Sequence, residues 1–212
     1  MKLEIAKALI KHGCVKLSPQ KPFTYASGLL GPIYCDNRLI LSHVDFRNKI
    51  IAAFVDLIKF TSGLSHYDFI GGIATAGIPH AAILADRLNK PMVYVRPKAK
   101  EHGRKNQVEG DFKANQSVIL IEDLVNQGAS LEEAMLGLKI AKLNCSRCLC
   151  IVDYQMPQVK NRLKNHSLIL DSLTDFDHLI QAAFELNFID SDGKKLLMDW
   201  HNDPKEWSSK NS

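Results

Sequence analysis

The chain has 212 residues, 46% of them hydrophobic and 24% charged, and its formal net charge is +4. These values are ordinary for a globular protein that needs no disulfide bonds, and the charge is too small to indicate nucleic-acid binding by itself. No apolar run approaches ~18 residues, and lysines interrupt the N-terminal stretch, which excludes a membrane span and predicts a cytoplasmic protein.

The N-terminal part of the chain predicts two helices separated by a region of turns. Apolar residues recur at helical spacing within residues 3–11 and again within residues 45–59. Between them, prolines and glycines divide residues 15–38 into short extended pieces.

From residue 68 onward, predicted strands and helices alternate with short connections. The strands are expected at residues 68–73, 92–95, 118–121, 148–152 and 168–170, and the helices at 77–88, 130–142, between the last two strands, 175–186 and 191–200. Thr174 and Ser191 are the predicted N-caps of the last two helices. This alternation predicts an α/β fold with a mostly parallel sheet covered on both faces, which explains the uninterrupted apolar run at 118–121.

Five cysteines, an odd number, indicate a reducing compartment, and three of them cluster at Cys145, Cys148 and Cys150. A zinc site would need a fourth ligand, and the nearest downstream candidate, His166, belongs to no paired motif. The favoured interpretation is a buried strand, because Cys148 and Cys150 alternate with apolar residues.

Ligands of an open parallel sheet bind beyond the carboxyl ends of its strands, where three loops have unusual compositions. The first loop contains Ala74, Thr75, Ala76 and Gly77 at the start of a helix. These small residues allow a ligand to approach the backbone, and the helix offers free N–H groups, so the loop is a candidate anion site. The alternative is that they only allow tight packing of the helix on the sheet.

The second loop, residues 94–112, is rich in cationic and histidine side chains. They are Arg96, Lys98, Lys100, His102, Arg104 and Lys105. A solvated surface loop is one interpretation, but a loop of ~15 residues in a compact domain is often an active-site lid. Beside an anion-binding turn, this lid would suit a small phosphate-rich substrate, and the absence of interleaved aromatic residues argues against nucleic acid.

The third loop follows the apolar strand at 118–121 and begins with two acids, Glu122 and Asp123. Carboxylates at this place can accept hydrogen bonds from sugar hydroxyls or hold Mg²⁺ through water. The helix after the turn LVNQGAS can bind a phosphate through its N-terminal N–H groups, so the segment suits a ribose 5-phosphate. The alternative is that one acid caps the helix and the other pairs with a lysine.

Several segments, in this order along the chain, carry a resemblance to one known family. They are FTYASG (23–28), GPIYCDNRLILS (31–42), IATAGIPHA (73–81), YVRPKAKEHGRKNQVEG (94–110), the two acids with their glycine-containing turn, and SLTDFDHL (172–179). The chain thereby resembles the orotate phosphoribosyltransferases, especially the bacterial form, which are type I phosphoribosyltransferases.

The resemblance implies the reaction of Mg²⁺-bound phosphoribosyl pyrophosphate (PRPP) with orotate to give orotidine 5′-monophosphate and pyrophosphate, on the route to UMP. It also implies a cytoplasmic homodimer whose subunits share the cationic lid, with no nucleic-acid or membrane partner. The implied domain has an N-terminal hood region at 1–42 and a core at 43–200, and a frayed polar tail is expected at 201–212.

The resemblance also implies roles for individual residues. Lys100, His102 and Asp123 would be catalytic, and no residue would bind Mg²⁺ directly, although Asp123 could do so through water. PRPP would be bound by Thr75, Ala76, Gly77, Arg96, Lys100, His102, Glu122, Asp123, Leu124, Val125, Asn126, Gln127, Gly128, Ala129 and Ser130. Orotate would be bound by Phe23, Ala26, Ser27 and Asn126.

One turn departs from the family pattern, because Asn126 and Gln127 stand where the family usually has hydroxyl or small residues. This departure leaves an alternative open, a non-catalytic relative that binds PRPP or a nucleotide and regulates another process. The cationic lid favours the enzyme, since a protein that only binds has little need of groups that stabilise a leaving pyrophosphate. A purine or uracil base is a further alternative that the orotate-type segments disfavour.

Overall fold

The computed structural model describes residues 1–25, 27–97 and 106–211. The helices are α1 Lys2–Lys11, α2 Val44–Thr61, α3 Gly77–Leu88, α4 Ala129–Ile140, α5 Pro157–Asn165, α6 Phe176–Glu185, α7 Ser191–Asn202 and α8 Pro204–Lys210. The strands are β1 Val15–Leu17, β2 Phe23–Thr24, β3 Leu30–Gly31, β4 Ile33–Cys35, β5 Phe69–Ile73, β6 Met92–Val95, β7 Val108–Glu109, β8 Ser117–Val125, β9 Asn144–Asp153 and β10 Ile169–Asp175. Within these ranges, no helix is long and apolar enough to cross a membrane.

The chain divides into two compact units. One contains Met1–Ser42 together with Thr174–Ser212, and the other contains His43–Leu173. The C-terminal helices α6, α7 and α8 therefore group with the N-terminal segment. The physical reason is the packing of α1 against α6, which joins the two ends of the chain within one unit.

The unit at 43–173 is built on a six-stranded sheet of order β10–β9–β8–β5–β6–β7. The pairs β5–β6, β5–β8 and β8–β9 are parallel, and only β7 is shown running antiparallel to its neighbour, β6. Residues 118–121 of the central strand β8 are completely buried, as their apolar run predicts. The α/β prediction is confirmed.

The polar loop after β6 was expected to be unstructured, but it contains strand β7.

The other unit combines the terminal helices with two small antiparallel sheets, β1–β4 and β2–β3. The polar tail was expected to be frayed, and this expectation is wrong for α8, which is helical and contacts β3. Its Trp207 is only 6% exposed. A single tryptophan among polar residues gives no periodic signal, so the burial that orders this helix is decided by tertiary packing.

The N-caps of α6 and α7 also differ from the predicted ones. Asp175 caps α6 by accepting a hydrogen bond from the N–H of His178 (3.1 Å), and Asp190 caps α7 by accepting one from the N–H of Gly193 (2.8 Å). In each case an aspartate lies one residue from the predicted cap, and its carboxylate accepts the helix N–H bond.

Asp175 also anchors the N-terminal helix to α6. Its carboxylate lies 2.8 Å from the Lys2 Nζ and 2.5 Å from the His178 Nδ1, and the residue is 3% exposed. Burial by itself would raise the pKa of Asp175, but the hydrogen bonds and charge of Lys2 and His178 lower it below the ordinary value. The stability that this carboxylate contributes is therefore present above the unfolded pKa of 3.8 and is lost as the pH falls through the lower folded pKa.

We predict that Asp175→Asn lowers the free energy of unfolding at pH 7 by about 1–3 kcal/mol, because a helix cap and a buried charged partner are lost together. The difference between the thermal melts of variant and wild type should shrink as the pH falls from 3.8 through the folded pKa of Asp175, where the wild-type carboxylate also becomes protonated. Asp177→Asn, an exposed change in the same helix, is the control and should leave the melting temperature unchanged. Equal losses in both variants would contradict this role of Asp175.

Candidate functional site

The predicted site residues of the sheet unit converge at the carboxyl edge of strands β6, β5 and β8. Strand β8 is five residues longer than predicted, with one residue added before the predicted run and four after it, because it stays paired with β9 as far as Val125 opposite Asp153. Its pairing with β5 ends earlier, at Ile121 opposite Gly72. Glu122 and Asp123 therefore lie within the strand, but beyond its last pair with β5, where they face the turn that follows β5.

That turn approaches β8 closely, and the approach depends on Gly77. A Cβ atom at Gly77 would lie 2.4 Å from the carbonyl oxygen of Ile121 and 3.3 Å from the Cα of Glu122. No real Cβ tolerates the first distance, so only glycine allows the first residue of α3 to pack here. The predicted small-residue turn thus serves tight packing, and this packing brings Gly77 against the backbone of Ile121 and Glu122.

Glu122 is buried, with only 4% of its surface exposed. One of its carboxylate oxygens accepts a hydrogen bond from the N–H of Asp123 (2.9 Å), and the other accepts one from the hydroxyl of Ser130 (3.2 Å). The side chain therefore links the end of β8 to the first turn of α4. Asp123 is more exposed than Glu122 and lies at the surface of the same edge.

The environment of Glu122 opposes its ionisation. Burial is the main cause and the negative charge of Asp123 the second, and together they raise the pKa of Glu122 well above its ordinary value of 4.5. A side-chain hydrogen bond with Asp123 adds to this rise, and the hydrogen bonds donated by the Asp123 backbone N–H and the Ser130 hydroxyl oppose it only in part. Two acids adjacent in sequence thus have different environments, one enclosed and one half-exposed.

The turn between β8 and α4 combines a glycine in the left-handed conformation with the start of a helix. Gly128 adopts φ +74°, a conformation that side chains disfavour, and α4 begins at the next residue. Among the described residues no side chain caps this helix, so its first N–H groups face the turn. Behind the turn, Arg162 of α5 pairs with Glu132 of α4.

Arg96 follows β6 on the other side of the site. Its Nη1 lies 3.7 Å from the Oε1 of Glu109, and its backbone N–H donates to the carbonyl of Gln107 (2.9 Å). The turn after β5 meets the same strand end, since the Ala74 N–H donates to the Val95 carbonyl (2.8 Å).

Gln107 is a residue that the sequence did not single out. Its side-chain amide nitrogen lies 2.9 Å from the carbonyl oxygens of both Arg96 and Glu133, and 3.4 Å from that of Pro97. It therefore ties the segment after β6 to helix α4. A glutamine in a polar loop carries no sequence signal for this role, because the contacts are made with backbone groups distant in the chain.

The remaining predicted residues belong to the other unit or lie outside the described residues. Phe23 and Ser27 belong to the terminal unit, in and just after strand β2. Lys100, His102 and Ala26 lie outside the described residues.

The cysteine cluster is a buried part of strand β9, which confirms the strand interpretation. Cys148 and Cys150 are 0% exposed. Burial raises the pKa of Cys145 to about 12 and that of Cys148 well above its ordinary value.

Comparison with known proteins agrees with this geometry. Residues 47–181 match the family model described as phosphoribosyl transferase domain. The chain is 43% identical over 204 residues to the orotate phosphoribosyltransferase of Coxiella burnetii, covering 96% of this chain and 97% of that protein. It is 42% identical over 212 residues to the orotate phosphoribosyltransferase of Bacillus subtilis, covering 99% and 97% of the two chains.

Solved structures show the same fold. The UMP synthase of Leishmania donovani superposes with a TM-score of 0.79 at 25% identity, covering 95% of this chain and 42% of that longer one. The orotate phosphoribosyltransferase of Aeropyrum pernix superposes with a TM-score of 0.70 at 26% identity, covering 86% of this chain and 99% of the other.

The buried carboxyl of Glu122 predicts a pH dependence of stability. Its pKa is higher in the folded than in the unfolded chain, so the stability linked to its proton is fully present below about pH 4.5 and is lost as the pH rises through the folded pKa. Glu122→Gln cannot ionise. We therefore predict that the melting temperature of this variant relative to wild type rises by at least about 2–4 °C between pH 5 and pH 8.

Glu133→Gln, which changes an exposed acid of α4, is the control and should follow the wild type at every pH. A constant difference between Glu122→Gln and wild type across this range would contradict a buried, proton-bearing Glu122.

Proposed function

The chain belongs to the orotate phosphoribosyltransferase family, and we propose that the carboxyl edge of its sheet binds PRPP and, with Mg²⁺, transfers ribose 5-phosphate to orotate. The products are orotidine 5′-monophosphate and pyrophosphate, in the route that forms UMP. The main support is the convergence of an acidic pair, a glycine-containing helix start and the turn after β5 on one edge of the sheet.

The turn at residues 126–130 is the proposed site for the 5′-phosphate. The N-terminal N–H groups of α4 supply donors and the positive end of the helix dipole. Since the Ser130 hydroxyl donates to Glu122, we assign Ser130 to the phosphate through its backbone N–H rather than its side chain. Leu124 and Val125, predicted as part of this site, contribute as the end of β8 that leads into the turn.

The ribose hydroxyls are assigned mainly to Asp123. It is the more exposed member of the acidic pair, and its carboxylate can accept hydrogen bonds from a diol. Glu122 has both oxygens engaged by protein groups, so we assign it to holding Asp123 and the first turn of α4 in place.

The donor set fits Mg²⁺ that arrives with PRPP. Mg²⁺ keeps several waters and usually binds through one or two carboxylates together with substrate phosphates. Asp123 suits such a water-mediated contact, and no direct protein ligand is proposed. When bound, Mg²⁺ would neutralise charge on the pyrophosphate group.

The pyrophosphate is assigned to Arg96, to the turn Thr75–Gly77, and by family resemblance to Lys100 and His102. The bond from the ribose C1′ to the pyrophosphate oxygen breaks while the bond from C1′ to the orotate nitrogen forms, and that nitrogen loses its proton to solvent. Negative charge therefore grows on the leaving oxygens, and cationic side chains near them lower the barrier. The ion pair of Arg96 with Glu109 is long, at 3.7 Å, which leaves the guanidinium able to reorient towards a phosphate.

Orotate is assigned to Phe23, Ala26, Ser27 and Asn126 by family resemblance. The same resemblance supports a cytoplasmic homodimer in which Lys100 and His102 of one subunit serve the site of the other. Small molecules are then the only substrates, with no nucleic-acid or membrane partner.

The enzyme assignment is tested by orotate consumption, followed spectrophotometrically with purified protein, PRPP and Mg²⁺. We predict turnover by the natural sequence and a KM for PRPP about tenfold lower when Asn126-Gln127 is replaced by Ser-Thr. One added hydrogen bond to a charged phosphate contributes about 1.5–3 kcal/mol, or one to two decades in affinity.

Gln158→Thr, an amide-to-hydroxyl change at an exposed position of α5, is the control and should change neither kcat nor KM. The non-catalytic alternative would be favoured if the natural protein shows neither turnover nor calorimetric PRPP binding while the double variant gains both.

The shared-site assignment predicts complementation. Lys100→Ala should lower kcat by about 10²-fold, the effect of removing one preorganised charge donor, and Asp123→Asn should be similarly impaired. Mixed dimers of the two variants contain one site with both residues intact, so activity should return towards half that of the wild type. Absence of recovery, when native mass spectrometry shows mixed dimers, would mean that each site is built within one chain.

A further inference from the structure

The strand pair β2–β3 carries part of the segment assigned to orotate, and the C-terminal helix α8 contacts it within the same unit. The pairing is minimal, with Phe23 opposite Gly31 and Thr24 opposite Leu30. A two-stranded pair of this length is marginally stable by itself, so its position depends on other contacts.

The hydrogen bonds between residues close in sequence hold only the turn that connects β2 to β3. The Tyr25 N–H donates to the Leu29 carbonyl (2.9 Å), and the Gly28 N–H donates to the Tyr25 carbonyl (2.9 Å). The Tyr25 hydroxyl donates to the carbonyl of Ile33. These contacts join neighbours in sequence, and they do not hold β3 against a distant part of the chain.

Ser208 of α8 supplies such a contact. Its hydroxyl oxygen accepts a hydrogen bond from the backbone N–H of Leu30 at 2.9 Å, across 178 positions of sequence. Ser208 is only 4% exposed. The Leu29 carbonyl accepts a hydrogen bond from the Tyr25 N–H, and the N–H of Leu30, in the same peptide unit as that carbonyl, points in the opposite direction. The Leu30 N–H therefore faces away from β2, and Ser208 accepts its hydrogen bond.

Helix α8 is itself well fixed at both its start and its middle. Asp203 caps it by accepting hydrogen bonds from the N–H groups of Lys205 (3.1 Å) and Glu206 (2.9 Å), and Pro204 occupies its first turn. Trp207, beside Ser208, is 6% exposed. The helix is therefore a firm support that can hold β3.

We propose that Ser208 is a positioning residue for orotate, acting through the N–H of Leu30 to hold the β2–β3 pair in its binding geometry. This inference rests on the proposed function and on the assignment of Phe23 and Ser27 to orotate. Without the Ser208 hydroxyl the Leu30 N–H loses its acceptor, so β3 and the segment before it would move. Binding of PRPP, assigned to the other unit, would not depend on this hydrogen bond.

The experiment compares steady-state kinetics of Ser208→Ala, Ser209→Ala and wild type. Ser209 is the next residue of the same helix, but it is exposed and its hydroxyl donates to the Glu206 carbonyl. We expect Ser208→Ala to raise the KM for orotate about tenfold, the typical effect of one lost hydrogen bond. The KM for PRPP should stay within about twofold, and Ser209→Ala should match the wild type.

Two further variants separate positioning from a general loss of folding. Ser208→Thr keeps the hydroxyl and should restore the KM for orotate to within about twofold of wild type. Ser208→Cys nearly keeps the side-chain volume but offers a weaker acceptor, so it should give an intermediate KM even if the alanine variant fails to fold. Melting temperatures are recorded for all variants, and kinetics are measured well below them.

The proposal would be overturned if the KM values of both substrates increased equally. It would also be overturned if a folded Ser208→Ala or Ser208→Cys variant kept the wild-type KM for orotate. A wild-type protein without orotate turnover would instead overturn the proposed function. The two failures are therefore distinguishable from the wild-type measurement alone.

Discussion

The carboxyl edge of the sheet depends on the close approach of α3 to strand β8, which is possible only because Gly77 has no side chain. A Cβ there would overlap the Ile121 carbonyl, and relieving the overlap would move the start of α3 away from β8. The turn after β5 would move with it. The residues assigned to the pyrophosphate and to the ribose of PRPP are thus held next to each other by a backbone contact rather than by a charged pair.

Glu122 extends this constraint to the phosphate turn. A buried acid is costly unless its oxygens accept hydrogen bonds, and both oxygens of Glu122 do so, while burial raises its pKa. The side chain joins β8 to α4, and Asp123 beside it is more exposed. Under the proposed function, Glu122 supports the site and Asp123 binds the ribose, a division that follows from their different burial.

The terminal unit also depends on contacts between residues that are distant in the sequence. Its small strand pairs have few ladder bonds, so tertiary contacts must hold them, and the C-terminal helix contributes one through Ser208. Asp175 ties the first residues of the chain to α6 in the same unit. Both ends of the chain are consequently part of the folded structure, including residues whose composition resembles a disordered tail.

The sequence by itself determined the α/β class, the order of elements from β5 to α7 except for β7, and the acidic pair beside a glycine-containing turn. These features depend on local periodicity and on residue chemistry, which a sequence contains directly. It did not determine that β8 continues to Val125, since that length depends on pairing with β9. Nor could it show which aspartates cap α6 and α7, that α8 is ordered, or that Gln107 and Ser208 bind distant backbone groups. Those outcomes were decided by tertiary structure, because each depends on a partner brought close only when the chain folds.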